Sequence, residues 1–333
     1  MKPCIRFKLI VKASGYFGGF LLGPTIKMLL INSCHHSILS LYSYTINCQN
    51  IQVISNMQSL RIHHQEFEPP EELQDIVKCF WYDKRDSGMQ QSDFEVLPDG
   101  YAEIIFHFGN LWNFSSDGNL QPLPSPFIMG LLNQSVHFYT KNCLEIIGIR
   151  CFPWTVFDLL GLPSAKDKIH RFEHPIARFQ SILEEKVKNR RIEDAVLSIT
   201  QYLLDLRVQV PADSMLFKAG VAMRKASGIV PVSKIASAAH TTVRTLERKF
   251  KQSSGHTVKD VTSLMRFEQI RNHLWLYPDT NIASLAYELG YTDQSHLSRE
   301  FKRFSGITPA AFARKMKKNK MTVSNDFVAF IQA

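Results

Sequence analysis

The spacing of hydrophobic residues first indicates a β-rich region. Between Pro69 and Phe152 the apolar segments are short, rich in β-branched and aromatic residues, and separated by turn sequences, which is typical of strands. The predicted strands are Cys79–Tyr82, Glu95–Leu97, Ala102–Phe108, Phe127–Leu131, Val136–Tyr139 and Leu144–Phe152. A short helix is expected just before them, at Glu71–Val77. Strands at this spacing predict a small barrel or sandwich.

From Ile176 onward the hydrophobic residues recur at steps of three and four, which predicts two amphipathic helices with a break near Asn189. Helices appended to a β domain either associate with a second copy of the chain or pack into the core of their own domain. The hydrophobic pattern fits both roles equally well.

Beyond residue 220 the chain contains an internal repeat. The segment LERKFKQSSG from Leu246 and the segment LSREFKRFSG from Leu297 share Leu, Arg, Phe, Lys, Ser and Gly at the same positions, 51 residues apart. Upstream, Ile235-Ala236 corresponds to Leu285-Ala286. Two copies indicate a duplication and not a solenoid, which needs more repeats.

The first copy predicts a helix-turn-helix. A helix at Val232–Ala239 is followed by a turn at His240-Thr241 and by a second helix that Thr242 caps. Leu246 and Phe250 of this second helix face the core. The residues left outward are Val243, Arg244, Glu247, Arg248 and Lys251.

The second copy predicts the same motif. Its first helix is expected at Ile282–Leu289, and Gly290 supplies the positive-φ residue of the turn. Either Thr292 or Asp293 caps the second helix, which ends before Gly306.

The segment between the copies predicts one long helix. Residues Thr257–Leu276 have apolar residues at helical steps and contain no Pro or Gly. A helix of 20 residues is about 30 Å long, and successive major-groove faces of B-DNA lie about 34 Å apart. One stiff helix can therefore hold two helical readers against neighbouring segments of the major groove.

The distribution of charge fits this interpretation. Residues 57–219 contain 16 basic and 22 acidic residues, whereas residues 220–320 contain 18 basic and 7 acidic residues. A compact basic domain that also has a groove-fitting motif indicates a nucleic-acid surface more often than a membrane patch.

No cofactor or metal is expected. The six cysteines form no CxxC pair, and the histidines lack the spacing of metal ligands. His107 and His137 are interpreted as hydrogen-bonded structural residues, and His63 and His64 are placed before the first strand. Unpaired cysteines favour a reducing, cytoplasmic compartment.

Residues 1–56 differ from the rest of the chain. They contain no acidic residue and no sustained period of 2 or 3.6. We expect an upstream extension with little structure, and a native protein that begins at Met57.

The basic module resembles the DNA-binding domain of the AraC/XylS family of bacterial transcription regulators. The resemblance covers about residues 220–315 and is closest over AYELGYTDQSHLSREFKRFSGITP, from Ala286 to Pro309. His240 and Val258 depart from the family, which usually has glycine and proline there. The acidic module, with LPDG at residues 97–100 and EIIF at 103–106, resembles more loosely the β-rich domains of some members, which implies a sensing or dimerising role.

By position, the resemblance implies a set of DNA contacts on the second helix of each motif. They are Thr242, Val243, Arg244, Arg248, Lys251, Gln294, Ser295, Arg299, Lys302 and Arg303. Five of them take family positions that meet base edges: Arg244, Arg248, Gln294, Ser295 and Arg299. Arg pairs with guanine O6 and N7, and Gln pairs with adenine N6 and N7. The other basic residues of these helices are expected either to contact phosphate or to remain solvated; they are Lys249, Lys251, Lys302 and Arg303.

The predicted fold is α+β. It comprises an unstructured extension (1–56), a β-rich barrel- or sandwich-like sensing or dimerisation domain (57–172), appended helices (173–219), an all-α domain with two helix-turn-helix motifs (220–316) and a tail (317–333).

The predicted function is transcription regulation by sequence-specific DNA binding, with no enzymatic activity and no membrane partner. Expected partners are double-stranded DNA, RNA polymerase, a small-molecule effector and a second copy of the chain. Two alternatives stay open. One is a DNA-targeted enzyme, such as a repair protein that uses Cys143 or Cys151 as acceptor. The other is a constitutive DNA-binding dimer without an effector.

Overall fold

The computed structural model describes most of the chain beyond residue 60. The described residues are 6–10, 26–31, 43–44, 61–114, 118–154, 160–161, 169–207 and 215–321. They fall into two units, Met1–Met57 and Gln58–Ala333.

The first unit contains a small antiparallel sheet, in which β2 lies between β1 and β3. Its strands are β1 (Arg6–Ile10), β2 (Ile26–Ile31) and β3 (Ser43–Tyr44). The sequence predicted little structure here, so these strands were not anticipated. The rest of residues 1–56 lies outside the described residues.

The second unit begins with a seven-stranded antiparallel sheet. Its strands are β4 (Arg61–Phe67), β5 (Val77–Val96), β6 (Ala102–Phe114), β7 (Leu120–Pro122), β8 (Phe127–Met129), β9 (Val136–Cys151) and β10 (Ile169–His170). The order is β10-β8-β6-β9-β5-β4, with β7 paired to β6. The predicted β-rich domain is confirmed.

Four local predictions in this sheet differ from the structure. The strands expected at Cys79–Tyr82 and Glu95–Leu97 belong to one long strand, β5. The strands expected at Val136–Tyr139 and Leu144–Phe152 are one strand, β9, because β5 and β6 pair with it along both sides. The helix expected at Glu71–Val77 is only a 3-10 turn at Glu71–Leu73. His63 and His64 lie inside β4. That strand lies at one end of the sheet order, where polar residues are common and the apolar alternation is weak.

Two helices, α1 (Phe179–Lys188) and α2 (Ile192–Arg207), form as the spacing predicted, and they pack against one face of the sheet. Their inner residues Leu183, Val187 and Ile199 are at most 3% exposed and belong to the same core as the sheet residues. The inner faces of these helices therefore serve packing within the chain.

The rest of the second unit is helical, which confirms the predicted α+β fold class. The helices are α3 (Met215–Lys225), α4 (Val232–Ala238), α5 (Val243–Ser254), α6 (Val258–Leu276), α7 (Ile282–Glu288), α8 (Gln294–Ser305) and α9 (Pro309–Met321). Helices α3 and α9 were not predicted from the sequence, and α9 extends into the segment expected to be a tail (317–333). None of the helices that the structure describes has the length and apolar composition to cross a bilayer.

The sheet domain and the helical domain share a hydrophobic core. Trp154, which follows β9, stacks on Phe152 with ring centroids 5.6 Å apart. Its edge meets Phe250 of α5 at 5.9 Å. Leu97 and Leu131 of the sheet domain belong to the same cluster. Arg271 of α6 also donates a hydrogen bond to the carbonyl oxygen of Pro98, at 3.2 Å.

Gly220 of α3 allows this close packing. A Cβ atom at this position would lie 2.0 Å from Cζ2 of Trp154, too close for a rigid ring to accommodate. We expect Gly220→Ala to lower the free energy of unfolding by about 1–3 kcal/mol, the usual cost of overpacking. Urea unfolding measures this. Gly130→Ala is the matched control, since nothing lies within 4 Å of its added Cβ; equal losses would contradict the prediction.

Candidate DNA-binding site

The first helix-turn-helix consists of α4 and α5. The side chain of Thr242 accepts a hydrogen bond from the backbone N–H of Thr245 at 3.2 Å, which confirms the predicted cap. In the turn, the N–H of Thr241 donates to the carbonyl of Ala236 at 2.9 Å. His240 takes the left-handed conformation at φ 51°. This conformation costs free energy for any residue other than glycine.

The second helix-turn-helix, α7 and α8, has the same construction. The N–H of Tyr291 donates to the carbonyl of Ala286 at 2.9 Å, the counterpart of the bond in the first turn. Gly290 has φ 73°, as predicted. Of the two possible caps, Asp293 is the one used, since it accepts from the N–H of His296 at 2.8 Å.

Helix α6 holds both motifs. At its start, Thr257 and Asp260 form a reciprocal capping box, and the N–H of Val258 donates to Glu247 of α5 at 3.1 Å. The sequence placed Glu247 outward, so this contact is a correction. It arises because the first recognition helix ends only four residues before α6 begins.

Farther along α6, a second set of contacts fixes α8. Arg266 donates to the carboxylate of Glu300 at 3.1 Å, and Ser263 donates to the same carboxylate at 3.1 Å. The rings of Phe267 and Phe301 pack 4.9 Å apart. With 19 residues, α6 is about 28 Å long. Both recognition helices are thus attached to one rigid element.

The predicted DNA-contacting residues all lie at the surface. The exposed set is Thr242, Val243, Arg244, Arg248 and Lys251 on α5 with its cap, and Gln294, Ser295, Arg299, Lys302 and Arg303 on α8. Arg303 lies 3.8 Å from Asp260, whereas Arg244, Arg248 and Arg299 have no ion pair with any described residue. The structure thus leaves these three guanidinium groups open to solvent, and their contact with DNA stays a prediction.

The sheet domain offers poor support for thiol chemistry. Burial raises the pKa of Cys79 to about 12 and also raises the pKa of Cys151. Cys143 is exposed, yet partial desolvation raises the pKa of its thiol too. Nucleophilic thiols need a lowered pKa. These environments therefore count against the repair-enzyme alternative.

The histidines that the structure describes do not gather into a metal site. His107 lies with its ring nitrogens 3.1 Å from the carbonyl oxygens of Gly109 and Pro124, which fits the predicted structural role. Within the described ranges, no three His, Cys, Asp or Glu side chains form a group that could hold a metal ion.

Sequence analysis missed a set of buried charges in the sheet. The side chains of Arg150 and Glu103 are 3% and 2% exposed and lie 2.7 Å apart. Asp83 and Arg85 form a second buried pair at 2.7 Å. The second pair could have been predicted from the sequence. Residues 79, 81, 83 and 85 of a strand share one face, and Trp81 indicates that this face is buried.

Comparison with known proteins finds two domain families in the chain. Residues 235–315 match a family described as helix-turn-helix domain, and residues 65–168 match a domain of unknown function, DUF6597.

Two relatives match the carboxy-terminal region. The HTH-type transcriptional activator RhaS of Mannheimia succiniciproducens is 36% identical over 67 residues, which are 20% of this chain and 25% of RhaS. The uncharacterized transcriptional regulatory protein YesN of Bacillus subtilis is 30% identical over 71 residues, 21% of this chain and 19% of YesN. The chain thus matches a quarter or less of the length of these relatives.

Among solved structures, ToxT from Vibrio cholerae O395 superposes with a TM-score of 0.39 at 13% sequence identity. The superposition covers 71% of this chain and 98% of ToxT.

The paired motifs and the sequence matches define the class of the carboxy-terminal module. Residues 235–315 form a helix-turn-helix domain of the AraC/XylS type, which confirms the resemblance drawn from the sequence.

Proposed function

We propose that this protein is a transcriptional regulator that binds DNA sequence-specifically, with α5 and α8 in adjacent segments of the major groove. The observation that carries the proposal is the identical construction of two helix-turn-helix motifs on one helix, α6. Each recognition helix presents to solvent at least one arginine that has no ion-pair partner among the described residues: Arg244 and Arg248 on α5, and Arg299 on α8. A positively charged, paired reader of this kind suits a duplex better than any single-site ligand.

The sheet domain is proposed to control the two helix-turn-helix motifs. It shares a core with α5 and α6 through Trp154 and Arg271, so a change in the sheet domain is transmitted to the recognition helices by packed side chains. RNA polymerase, a second copy of the chain and a small-molecule effector are the proposed partners besides DNA, and the cytoplasm is the proposed compartment. The names of RhaS and YesN, a transcriptional activator and a transcriptional regulatory protein, support the regulatory role.

Arg299 tests the assignment of base contacts. We expect Arg299→Ala to cost about 1–3 kcal/mol at the cognate site, because a guanidinium that bridges O6 and N7 of guanine has no substitute. Binding to random duplex should change much less. Fluorescence anisotropy with both duplexes measures the difference. An equal loss on both would show that Arg299 contacts only the backbone.

Lys302 is the matched control on the same helix. It is exposed, lies one helical turn beyond Arg299 on α8, and is expected to contact phosphate. We expect Lys302→Ala to weaken cognate and random duplexes alike and to reduce the slope of log K against log salt by about one unit. An unchanged slope would refute the phosphate contact.

A further inference from the structure

The LPDG loop, residues 97–100 between β5 and β6, is a sequence motif to which the proposed function gives no role. In the structure this loop lies against α6. Arg271 of α6 is buried and donates a hydrogen bond to the carbonyl oxygen of Pro98 at 3.2 Å. A Cβ atom added to Gly100 would lie 3.5 Å from Cγ of Met265, so the backbone of the loop passes close to the helix.

The sheet domain holds the LPDG loop in place from behind. The carboxylate of Asp99 accepts a hydrogen bond from the backbone N–H of Tyr101 at 3.0 Å, and it lies 3.3 Å from Nη2 of Arg150. Arg150 is in turn paired with Glu103 of β6 at 2.7 Å. Buried charge-assisted contacts of this kind restrict the geometry of the groups that make them. The carbonyl group that Arg271 contacts therefore belongs to a fixed loop.

A row of aromatic rings joins the same loop to the first recognition helix. Tyr101 packs on Phe152 with ring centroids 5.7 Å apart, and Phe152 stacks on Trp154 at 5.6 Å. Trp154 meets Phe250 of α5 at 5.9 Å. The sheet domain thus holds α5 at one point and α6 at another, and packed side chains connect the two points.

The LPDG loop and the second recognition helix contact different faces of α6. At about 100° per residue, the residues that contact α8 and the residues that contact the loop are centred about 150° apart around the helix. The first set is Ser263, Arg266 and Phe267, and the second set is Met265, Glu268 and Arg271. Helix α6 is therefore held between α8 on one side and the sheet domain on the other.

We propose that the LPDG loop is a brace that fixes the spacing and relative angle of the two recognition helices, with Arg271 as its positioning residue. This inference rests on the proposed function, since it concerns how both motifs read one duplex. Moving one half-site by one base pair shifts it by about 3.4 Å and rotates it by about 34°. The braced helix resists the bending that such a change requires, whereas an unbraced helix accommodates part of it.

The test measures how strictly the full chain selects the distance between half-sites. Three duplexes carry the bipartite site enriched from a random library, with the half-sites at the enriched spacing, one base pair closer or one base pair farther apart. Fluorescence anisotropy gives the three affinities. We expect the unsubstituted chain to bind at least about tenfold more weakly at either altered spacing. Arg271→Met removes the donors and should reduce this ratio to about threefold or less, and Arg271→Lys, which keeps a charged donor, should restore part of it.

Arg207→Met is the matched control. Arg207 is also a mostly buried arginine with a distant partner, Asp75 at 2.6 Å, but this pair lies within the sheet domain and its helices. The variant should lose stability and keep the spacing ratio of the unsubstituted chain. A reduction equal to that of Arg271→Met would show that general destabilisation relaxes the ratio, and it would overturn the proposal.

A second variant covers the case in which Arg271→Met fails to fold. In Gly100→Leu the longer side chain meets Met265 and Glu268, so it should push the loop away from α6 and reduce the ratio to about threefold or less. Gly100→Ala is its control, because a single Cβ atom there lies 3.5 Å and 3.7 Å from these side chains, at ordinary contact distances. The proposal is overturned if either Arg271→Met or Gly100→Leu folds and keeps the ratio of the unsubstituted chain.

Hydrogen exchange of the backbone amides of α6, measured without DNA, distinguishes failure of the brace from failure of the proposed function. Arg271→Met and Gly100→Leu should speed this exchange by at least about tenfold, and the two control variants should not. Faster exchange in the variants of a chain that selects no duplex overturns the proposed function and leaves the loop as the element that holds α6. A chain that selects a bipartite site, and whose variants change neither the exchange nor the spacing ratio, overturns the brace alone.

Discussion

Replacing Trp154 by alanine is expected to remove about 3–5 kcal/mol from the free energy of unfolding, the usual cost of deleting a buried tryptophan. Trp154 is 1% exposed and contacts Phe152, Phe250 and the backbone of Gly220. It therefore joins the sheet domain to the first recognition helix. Urea unfolding followed by circular dichroism measures the loss. Because whole domains are stable by only about 5–15 kcal/mol, the midpoint should shift strongly.

Trp112→Ala is the control for this variant. Trp112 lies on β6, where it is half-buried and outside the shared core. Its replacement should cost less than half as much as the replacement of Trp154. Equal losses of stability in the two variants would contradict the role of Trp154 in joining the sheet domain to the first recognition helix.

Arg150→Met is the second substitution with a large expected effect. Arg150 lies 2.7 Å from Glu103 and 3.3 Å from Asp99. Removing it leaves a buried carboxylate without its partner, which costs about 3–5 kcal/mol at neutral pH. Burial already raises the pKa of Glu103 above its ordinary value. In the variant that pKa rises further, so the folded state gains a proton more readily and the loss of stability should shrink as the pH falls toward it.

The exposed ion pair of Lys188 and Glu184, at 2.7 Å, provides the comparison. Lys188→Met should change the free energy of unfolding by less than about 1 kcal/mol, because exposed pairs contribute little. Adding Glu103→Gln to Arg150→Met should recover part of the loss. A cost for Arg150→Met as small as that for Lys188→Met, or no dependence on pH, would refute the role given to the buried pair.

The two helix-turn-helix motifs and the helix between them could be predicted from the sequence almost to the residue. Their signals are local: caps at Thr242 and Asp293, Gly290 in the turn, and apolar residues at helical steps. Such features act within a few residues of the chain, so their outcome does not depend on the rest of the fold. Glu247 is the exception, because its hydrogen bond to Val258 depends on the angle at which α6 leaves the motif.

The sheet domain was predicted only in outline, since its features depend on distant pairing. β9 continues through a polar stretch because β5 and β6 both pair with it. Arg and Glu usually lie at the surface. Arg150 and Glu103 are 47 residues apart in the sequence, and they become a buried pair only because the sheet brings them together. The contact between Arg224 and Phe152 could not be predicted either, because the two residues meet only after the two domains have packed together.

The shared core has a consequence for regulation. Trp154 and Arg271 connect the sheet domain to α5 and α6. Helix α5 is the first recognition helix, and α6 orients both recognition helices. We therefore propose that a change at this junction alters the spacing and angle of the recognition helices.

Selection of duplexes from a random library by the full chain, at physiological ionic strength, tests the proposed DNA reading most directly. We predict enrichment of a bipartite sequence whose two half-sites lie about 10 base pairs apart, with Arg244→Ala relaxing one half-site and Arg299→Ala the other. Enrichment of no sequence, or of a single half-site that both substitutions alter alike, would contradict the proposal that the two helix-turn-helix motifs on α6 each recognise one half-site.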